Sequence, residues 1–385
     1  AVLARLHRRR FARARREHPC DWSSCLSEAL QCTGMGMTLA RLAGLQAAGA
    51  LGLASQPASH ALGSLLGDLR DSCTKLYVFS CEEGWLSSLE RFDPRAPAAW
   101  EVLPPAPRER LEGTAAVLAG RLYLCGGQDG QQVLRSVDRF DPGAMQWEEM
   151  PQMSQGRWDA LAVTAGRCLY VCGGRDELQP LSSAECLQVA ADAWEPLPPM
   201  AVPRTGAVGV ALAGRLCVGG GGDGQRPLRS AERFDPQRMQ WEELPPMSQP
   251  RADAMSVLLG GRWYVLGGGD GRHVLSSAER FDPSAMTWEA LPPMSQRRWG
   301  AGALVADGWL YVCGGGDGQE VLSAAERFSP MTMTWEPLPP LLQRRHGGVL
   351  AAAAGRLYAC GGWSDEALDS AESFNPAAMR WEALP

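Results

Sequence analysis

The chain has 385 residues, of which 45% are hydrophobic and 21% charged, with 44 Gly, 28 Pro, 12 Cys and a formal net charge of −6. Those proportions exclude a disordered or collagen-like chain and describe a globular one dense in turns. The charge is uneven: residues 1–72 carry nine Arg against five acidic residues, leaving 73–385 at −10, and an acidic bulk is unsuited to nucleic acid phosphates.

In chain order, residues 6–16 come first as a basic run, either a helix or a disordered arm. A targeting or nucleic-acid tail and a solvated linker both fit it. Residues 38–66 are rich in Ala, Gly and Leu, but Arg41, Gln46, Gln56 and Pro57 interrupt them. No run reaches the roughly 18 apolar residues of a membrane helix, so no span is expected. Cys20, Cys25 and Cys32 are loosely spaced near His18, a weak candidate for a zinc site. No metal or cofactor is expected.

From residue 73 the chain becomes periodic. Six glycine pairs, from Gly126-Gly127 to Gly361-Gly362, follow one another at a step of 47. A fixed step of that size marks an array of one small unit. Residues 113–153 show the unit: an apolar run from Thr114 to Leu118, an Ala119-Gly120-Arg121 turn, and a second run from Leu122 to Cys125 ending at the glycine pair. A loop follows, then a third run to Phe140, stopped by Asp141-Pro142, and a fourth around Trp147, stopped by Pro151. Four short strands with Gly and Pro punctuation predict one antiparallel blade. A lone blade cannot bury both faces, whereas blades set radially pack on one another, which predicts an all-β propeller over 73–385. Trp100, Trp147, Trp194, Trp241, Trp288, Trp335 and Trp381 recur on fourth strands. Phe92, Phe140, Phe234, Phe281, Phe328 and Phe374 recur on third strands, with Leu187 in one copy, and both sets read as core.

A strand ending in a double glycine, then an acidic residue with Phe-Asp-Pro, then Trp, resembles the kelch repeat, in six good copies and one worn copy. The worn copy runs Leu76-Tyr77-Val78-Phe79-Ser80-Cys81, lacks the glycine pair, and keeps Glu90 and Trp100. Second, third and fourth strands appear seven times but first strands six times, so the choice is between seven blades, which we favour, and six. Either residues 60–72 lend a poor first strand or the ring is left incomplete by truncation. The resemblance implies a protein-binding propeller similar to that of BTB-kelch adaptors, which recruit cullin-type ubiquitin ligases. Residues 1–72 are too short and of the wrong composition for a BTB domain. An actin-associated scaffold is the alternative.

Loops after strands two and four share one face and carry what varies between copies. After Asp-Gly the pairs read Gln131-Gln132, Gln225-Arg226, Arg272-His273 and Gln319-Glu320. After a recurrent arginine the next residue reads Leu111, Trp158, Thr205, Ala252, Trp299 and His346. Loops on rigid scaffolds carry binding, and Trp and Arg dominate interface energies. The expected contact residues for a protein or peptide ligand are therefore Arg272, His273, Trp158, Trp299 and His346, with Arg110, Arg157, Arg204, Arg251, Arg298 and Arg345. Those six arginines have two readings: a ring for an acidic peptide, or internal pairs with the acidic residue recurring on strand three, from Asp138 to Glu372. Asp129, Asp176, Asp223, Asp270 and Asp317 read as turn caps.

Kelch-like enzymes exist, so the resemblance also asks for a catalytic set. A copper oxidase type needs paired Tyr and His; here all six Tyr share one repeat position, and only His273 and His346 lie in the repeats. No catalytic residues are expected. Cys125, Cys172, Cys313 and Cys360 occupy one strand position in different blades, too far apart to bridge, and imply a reducing, cytoplasmic setting.

Overall fold

Short apolar-rich runs between glycine and proline stops become 27 strands among the described residues of the computed structural model. The structure describes residues 75–82, 85–96, 99–189 and 191–385. The N-terminal segment, with its three cysteines and the strand expected from residues 60–72, lies outside them.

Blade two holds β4 (Thr114–Leu118), β5 (Arg121–Cys125), β6 (Val137–Asp141) and β7 (Gln146–Met150), paired antiparallel in chain order. Blade three repeats this with β8 (Leu161–Ala165), β9 (Cys168–Cys172), β10 (Ala184–Gln188) and β11 (Ala193–Leu197). Blades four to seven follow the same order, the last closing with Arg380–Ala383. Blade one is three-stranded among the described residues: β1 (Leu76–Glu82), β2 (Trp85–Phe92) and β3 (Glu101–Leu103). First strands of successive blades lie side by side around the central channel.

Blade one closes the ring. Leu76 and Phe92 pack on Ala351, Tyr358, Cys360 and Ala371 of blade seven. Phe79, Leu89 and Leu103 pack on Val117, Leu122, Leu124 and Phe140 of blade two. Apolar burial on both faces, each side chain contributing about 1.5–3 kcal/mol, joins the ends of the array. The propeller has seven blades, and the six-blade alternative is dismissed.

The two periodic aromatics divide the work. Every third-strand Phe is buried to within 1%. The Trp opposite it on strand four is half-buried in most blades, against the expectation of a core ring; only Trp381 is buried. Phe140 and Trp147 rings stand 5.2 Å apart, and the Trp147 Nε1–H donates to the Pro104 carbonyl at 2.8 Å. Trp194, Trp241, Trp288, Trp335 and Trp381 make the same bond to Pro151, Pro198, Pro245, Pro292 and Pro339. An indole needs a partner for its N–H, and here that partner is the end of the preceding blade. Among the described residues no helix is long and apolar enough to cross a membrane.

Candidate functional site

The six recurrent arginines are not at the surface. Each is 3% exposed or less. Arg251 is representative: Nε donates to Glu279 Oε1 at 2.9 Å, Nη1 to the carbonyls of Gly267 and Ser277, and Nη2 to Ser277 Oγ. Glu279 Oε2 in turn accepts the Ser248 N–H at 2.9 Å, so one ion pair pins the incoming loop to its blade. Arg204, Arg298 and Arg345 pair in the same way with Glu232, Glu326 and Glu372, while Arg157 reaches Glu185 through Nη2 and leaves its Nε without a partner. A guanidinium so committed cannot bind a ligand without dismantling the blade, so the arginine ring for an acidic peptide is corrected to a structural role.

The backbone of the same arginines joins neighbouring blades. The Arg251 carbonyl accepts the Gly221 N–H of the preceding blade at 2.8 Å, and Arg298 accepts Gly268 likewise. A Cβ on Gly267 would stand 2.2 Å from the Arg298 carbonyl oxygen, which is why glycine recurs there.

Blade two is the exception. Arg110 pairs with Asp138, one methylene shorter than Glu, and Pro107 stands where the other blades offer the loop N–H. Arg110 Nε and Asp138 Oδ1 are left without partners. Burial pushes the Asp138 carboxyl up and the Arg110 guanidinium down from their ordinary values.

The Asp-Gly loops behave as turn caps. Asp270 Oδ1 accepts the N–H groups of Arg272 and His273 at 2.7 Å, and Asp129 does the same for Gln131 and Gln132. The Gln132 and Gln131 N–H groups hold the Asp129 carboxyl below its usual range. Arg272 and His273 are thereby held at loop tips with exposed side chains.

What remains free to vary gathers at the channel mouth. The residue after each arginine forms an antiparallel bridge with the residue after the glycine pair: Trp158 with Arg175, Thr205 with Gly222, Trp299 with Gly316, His346 with Trp363. The position after that has left-handed backbone in all six copies, Glu112, Asp159, Gly206, Asp253, Gly300 and Gly347, with φ of 53–63°. Such angles in non-glycine residues concentrate at functional sites. Trp158 and Trp299 are half-buried there. The Arg175 guanidinium lies 5.3 Å over the Trp158 ring, and the Trp299 and His346 rings are 4.3 Å apart. The Thr205 hydroxyl donates to Asp159.

His346 is 8% exposed, and its Nε2 has no hydrogen-bond partner. Burial lowers its pKa to about 4, so it is neutral at physiological pH. A depressed folded value means that the unfolded chain binds the proton first, so the contribution is present above pH 6.5 and is lost as pH falls toward about 4. His346→Phe, which cannot be protonated, is expected to flatten the fall of melting temperature over that window relative to the unmodified chain.

Two further features of this face are not legible in the repeat. Leu178 and Leu342, on loops after strands two and four, are 88% and 57% exposed. A groove of about 580 Å³ opens between blades two and three, lined by Arg108, Gln132, Arg135, Gln152, Asp176 and Leu178. Sequence reasoning also missed Arg175 and Trp363; the signal was variation directly after the glycine pair, Gln128, Arg175, Gly222, Gly269, Gly316 and Trp363. Among the described residues, no group of three or more His, Cys, Asp or Glu is placed to hold a metal.

The comparisons agree with this architecture. The Kelch motif is matched at residues 109–154, 159–201, 203–248, 250–295, 297–342 and 344–385. A solved structure titled "Structure of YjhT" is similar with a TM-score of 0.61 at 17% identity, over 74% of this chain and 99% of that one, a likeness of fold alone. No curated protein matches.

Proposed function

The chain belongs to the Kelch-motif family, and from that premise we propose that its propeller is a protein-interaction module whose channel-mouth face receives a protein or peptide. The observation that carries this is the division of labour in the repeat. Recurrent Arg and Glu side chains are buried in the scaffold beside the recurrent glycines, while Trp158, Trp299 and the exposed Arg272, His273 and Leu178 differ from blade to blade on one face. A half-buried aromatic beside an adaptable polar rim is the anatomy of interface hot spots. The groove beside Leu178 gives an extended segment a place to lie.

The finer reading is a substrate-recognition propeller of a cullin-type ubiquitin ligase adaptor, similar to BTB-kelch adaptors; fold-level analogy supports it. The reading is non-enzymatic and cytoplasmic, in keeping with the free thiols of Cys125, Cys172, Cys313 and Cys360. A purified propeller used as bait tests it. Capture of a cullin ligase component supports the adaptor role, and co-sedimentation with filamentous actin in its place would move the protein to the scaffold class. Under either, Trp158→Ala with Trp299→Ala is expected to weaken the captured partner by about 2 kcal/mol or more, some thirtyfold in Kd. Unchanged affinity in a folded double variant would place binding elsewhere.

A further inference from the structure

The position two after each buried arginine forms a ring of stations around the channel mouth: Glu112, Asp159, Gly206, Asp253, Gly300 and Gly347, in blades two to seven. Backbone bonds tie neighbouring stations together. The Asp159 N–H donates to the Glu112 carbonyl at 3.1 Å, Asp253 to Gly206 at 3.3 Å, and Gly347 to Gly300 at 2.8 Å. Acidic residues hold the stations of blades two, three and five, and no basic residue holds any of the six.

Two of these carboxylates converge. A Cβ built on Gly206 would stand 2.5 Å from Asp253 Oδ1 and 3.6 Å from Asp159 Oδ2, so blades three and five both aim an acid at the bare station between them. Blade four steadies one of them, because the Thr205 hydroxyl donates to Asp159. A carboxylate has about four lone-pair sites, so one hydroxyl does not exhaust it. Like charges brought together disfavour one another, and a cation set between them is favoured.

A separate observation on the next stations of the ring also points to a ligand. His346 is 8% exposed, its Nε2 has no hydrogen-bond partner, and that nitrogen is aimed at Gly300, where a Cβ would stand 2.4 Å away. A buried nitrogen without a partner costs free energy that a hydrogen bond from a ligand recovers. Trp299 stacks on the same imidazole at 4.3 Å. On the other side of the mouth the Trp158 ring already carries the Arg175 guanidinium at 5.3 Å, so an aromatic of this face holds a cation.

On the protein-interaction reading above, we propose that the mouth receives a basic segment of a partner protein. Its arginine or lysine side chain enters between Asp159 and Asp253 over Gly206, and a backbone amide of the same segment bonds to His346 Nε2 beside Trp299. Charge complementarity selects this partner. Residues 73–385 carry −10 and draw a basic segment in, and the converging carboxylates then fix where its cation sits. An acidic segment would set its own carboxylates against Asp159 and Asp253, which excludes it.

The test measures fluorescence anisotropy of a labelled peptide of four Gly-Arg repeats, and of its Gly-Glu counterpart, titrated with the full chain. The Gly-Arg peptide is expected to bind and the Gly-Glu peptide not. Asp159→Asn with Asp253→Asn is expected to weaken binding about tenfold or more, and His346→Phe about threefold, while Glu195→Gln with Glu243→Gln, an equal charge change on exposed fourth-strand positions, leaves Kd unchanged. Asp159→Asn alone serves if the double variant does not fold. Equal weakening by the two double variants overturns the site, because it reports diffuse attraction to an acidic propeller. Preference for the Gly-Glu peptide, lost in Trp158→Ala with Trp299→Ala, overturns the charge assignment and leaves the interaction face standing. Binding of the Gly-Arg peptide only after Arg8→Ala, Arg9→Ala and Arg10→Ala would give the mouth to this chain's own basic arm and overturn a partner as its occupant. Binding of neither peptide by any of these chains overturns the proposal outright.

Discussion

Gly267→Ala is expected to destabilise the propeller by more than about 4 kcal/mol, whereas Gly361→Ala, at the equivalent position, costs about 1–2 kcal/mol. The two glycines have nearly identical backbone angles, φ 58° and 59°, so the strain of an alanine in the left-handed region is common to both. They differ in what lies beyond. At Gly267 the new methyl would meet the Arg298 carbonyl at 2.2 Å and the Met255 side chain at 3.1 Å. To make room, the Arg298 backbone must move and release the 2.8 Å bond from Gly268 that stitches blade five to blade six. At Gly361 the nearest atom among the described residues is the Leu368 carbonyl oxygen at 3.6 Å, ordinary contact. Urea unfolding of the two variants separates strain from collision. Equal losses would mean that the glycine pair serves turn geometry alone.

The second large effect concerns the buried charges. Arg251→Ala leaves Glu279 buried without its cation and removes donors from two carbonyls, a loss of about 3–5 kcal/mol. Removing both charges with Arg251→Met and Glu279→Leu is expected to recover much of that loss, because desolvation of the pair already offsets most of its attraction. Burial pushes the Arg251 guanidinium below its ordinary value, which reflects that desolvation. A double-mutant cycle read by denaturant midpoint checks it. A double variant less stable than the single arginine variant would show that the pair contributes through its coupling rather than through the penalty of an orphaned charge.

Much of the architecture was legible because the scaffold repeats. Phe140, Phe234 and Phe281 at one step, with Gly-Gly before them and Asp-Pro after, fix strand order and burial with no tertiary information. The Asp129 series was legible for the same reason, since an Asx cap needs only its own loop. The arginines were ambiguous because recurrence is compatible with a ring of ligand contacts and with a ring of internal pairs; the constant 28-residue offset from Arg110, Arg157, Arg204, Arg251 and Arg298 to their acidic partners held the answer. The tryptophans were read as core because aromatic recurrence tracks area, whereas the indole N–H must reach a carbonyl and so sits half-exposed at the blade edge. Ring closure was hidden because blade one keeps its apolar faces but not the glycines and arginine that make the period visible. The mouth was half legible: Trp158 and Trp299 stood out as deviations beside a constant arginine, while Arg175 followed a glycine pair whose constancy drew the eye.

The recurrent arginines serve the scaffold, and the irregular residues beside them serve recognition. Reaction of the native protein with phenylglyoxal, read residue by residue by mass spectrometry, tests it most directly. Arg110, Arg157, Arg204, Arg251, Arg298 and Arg345 are expected to stay unmodified while Arg226, Arg272 and Arg297, exposed on the same face, react. Rapid modification of the six in the folded protein, at the rate of the exposed three, would put the arginine ring back at the surface and contradict the account.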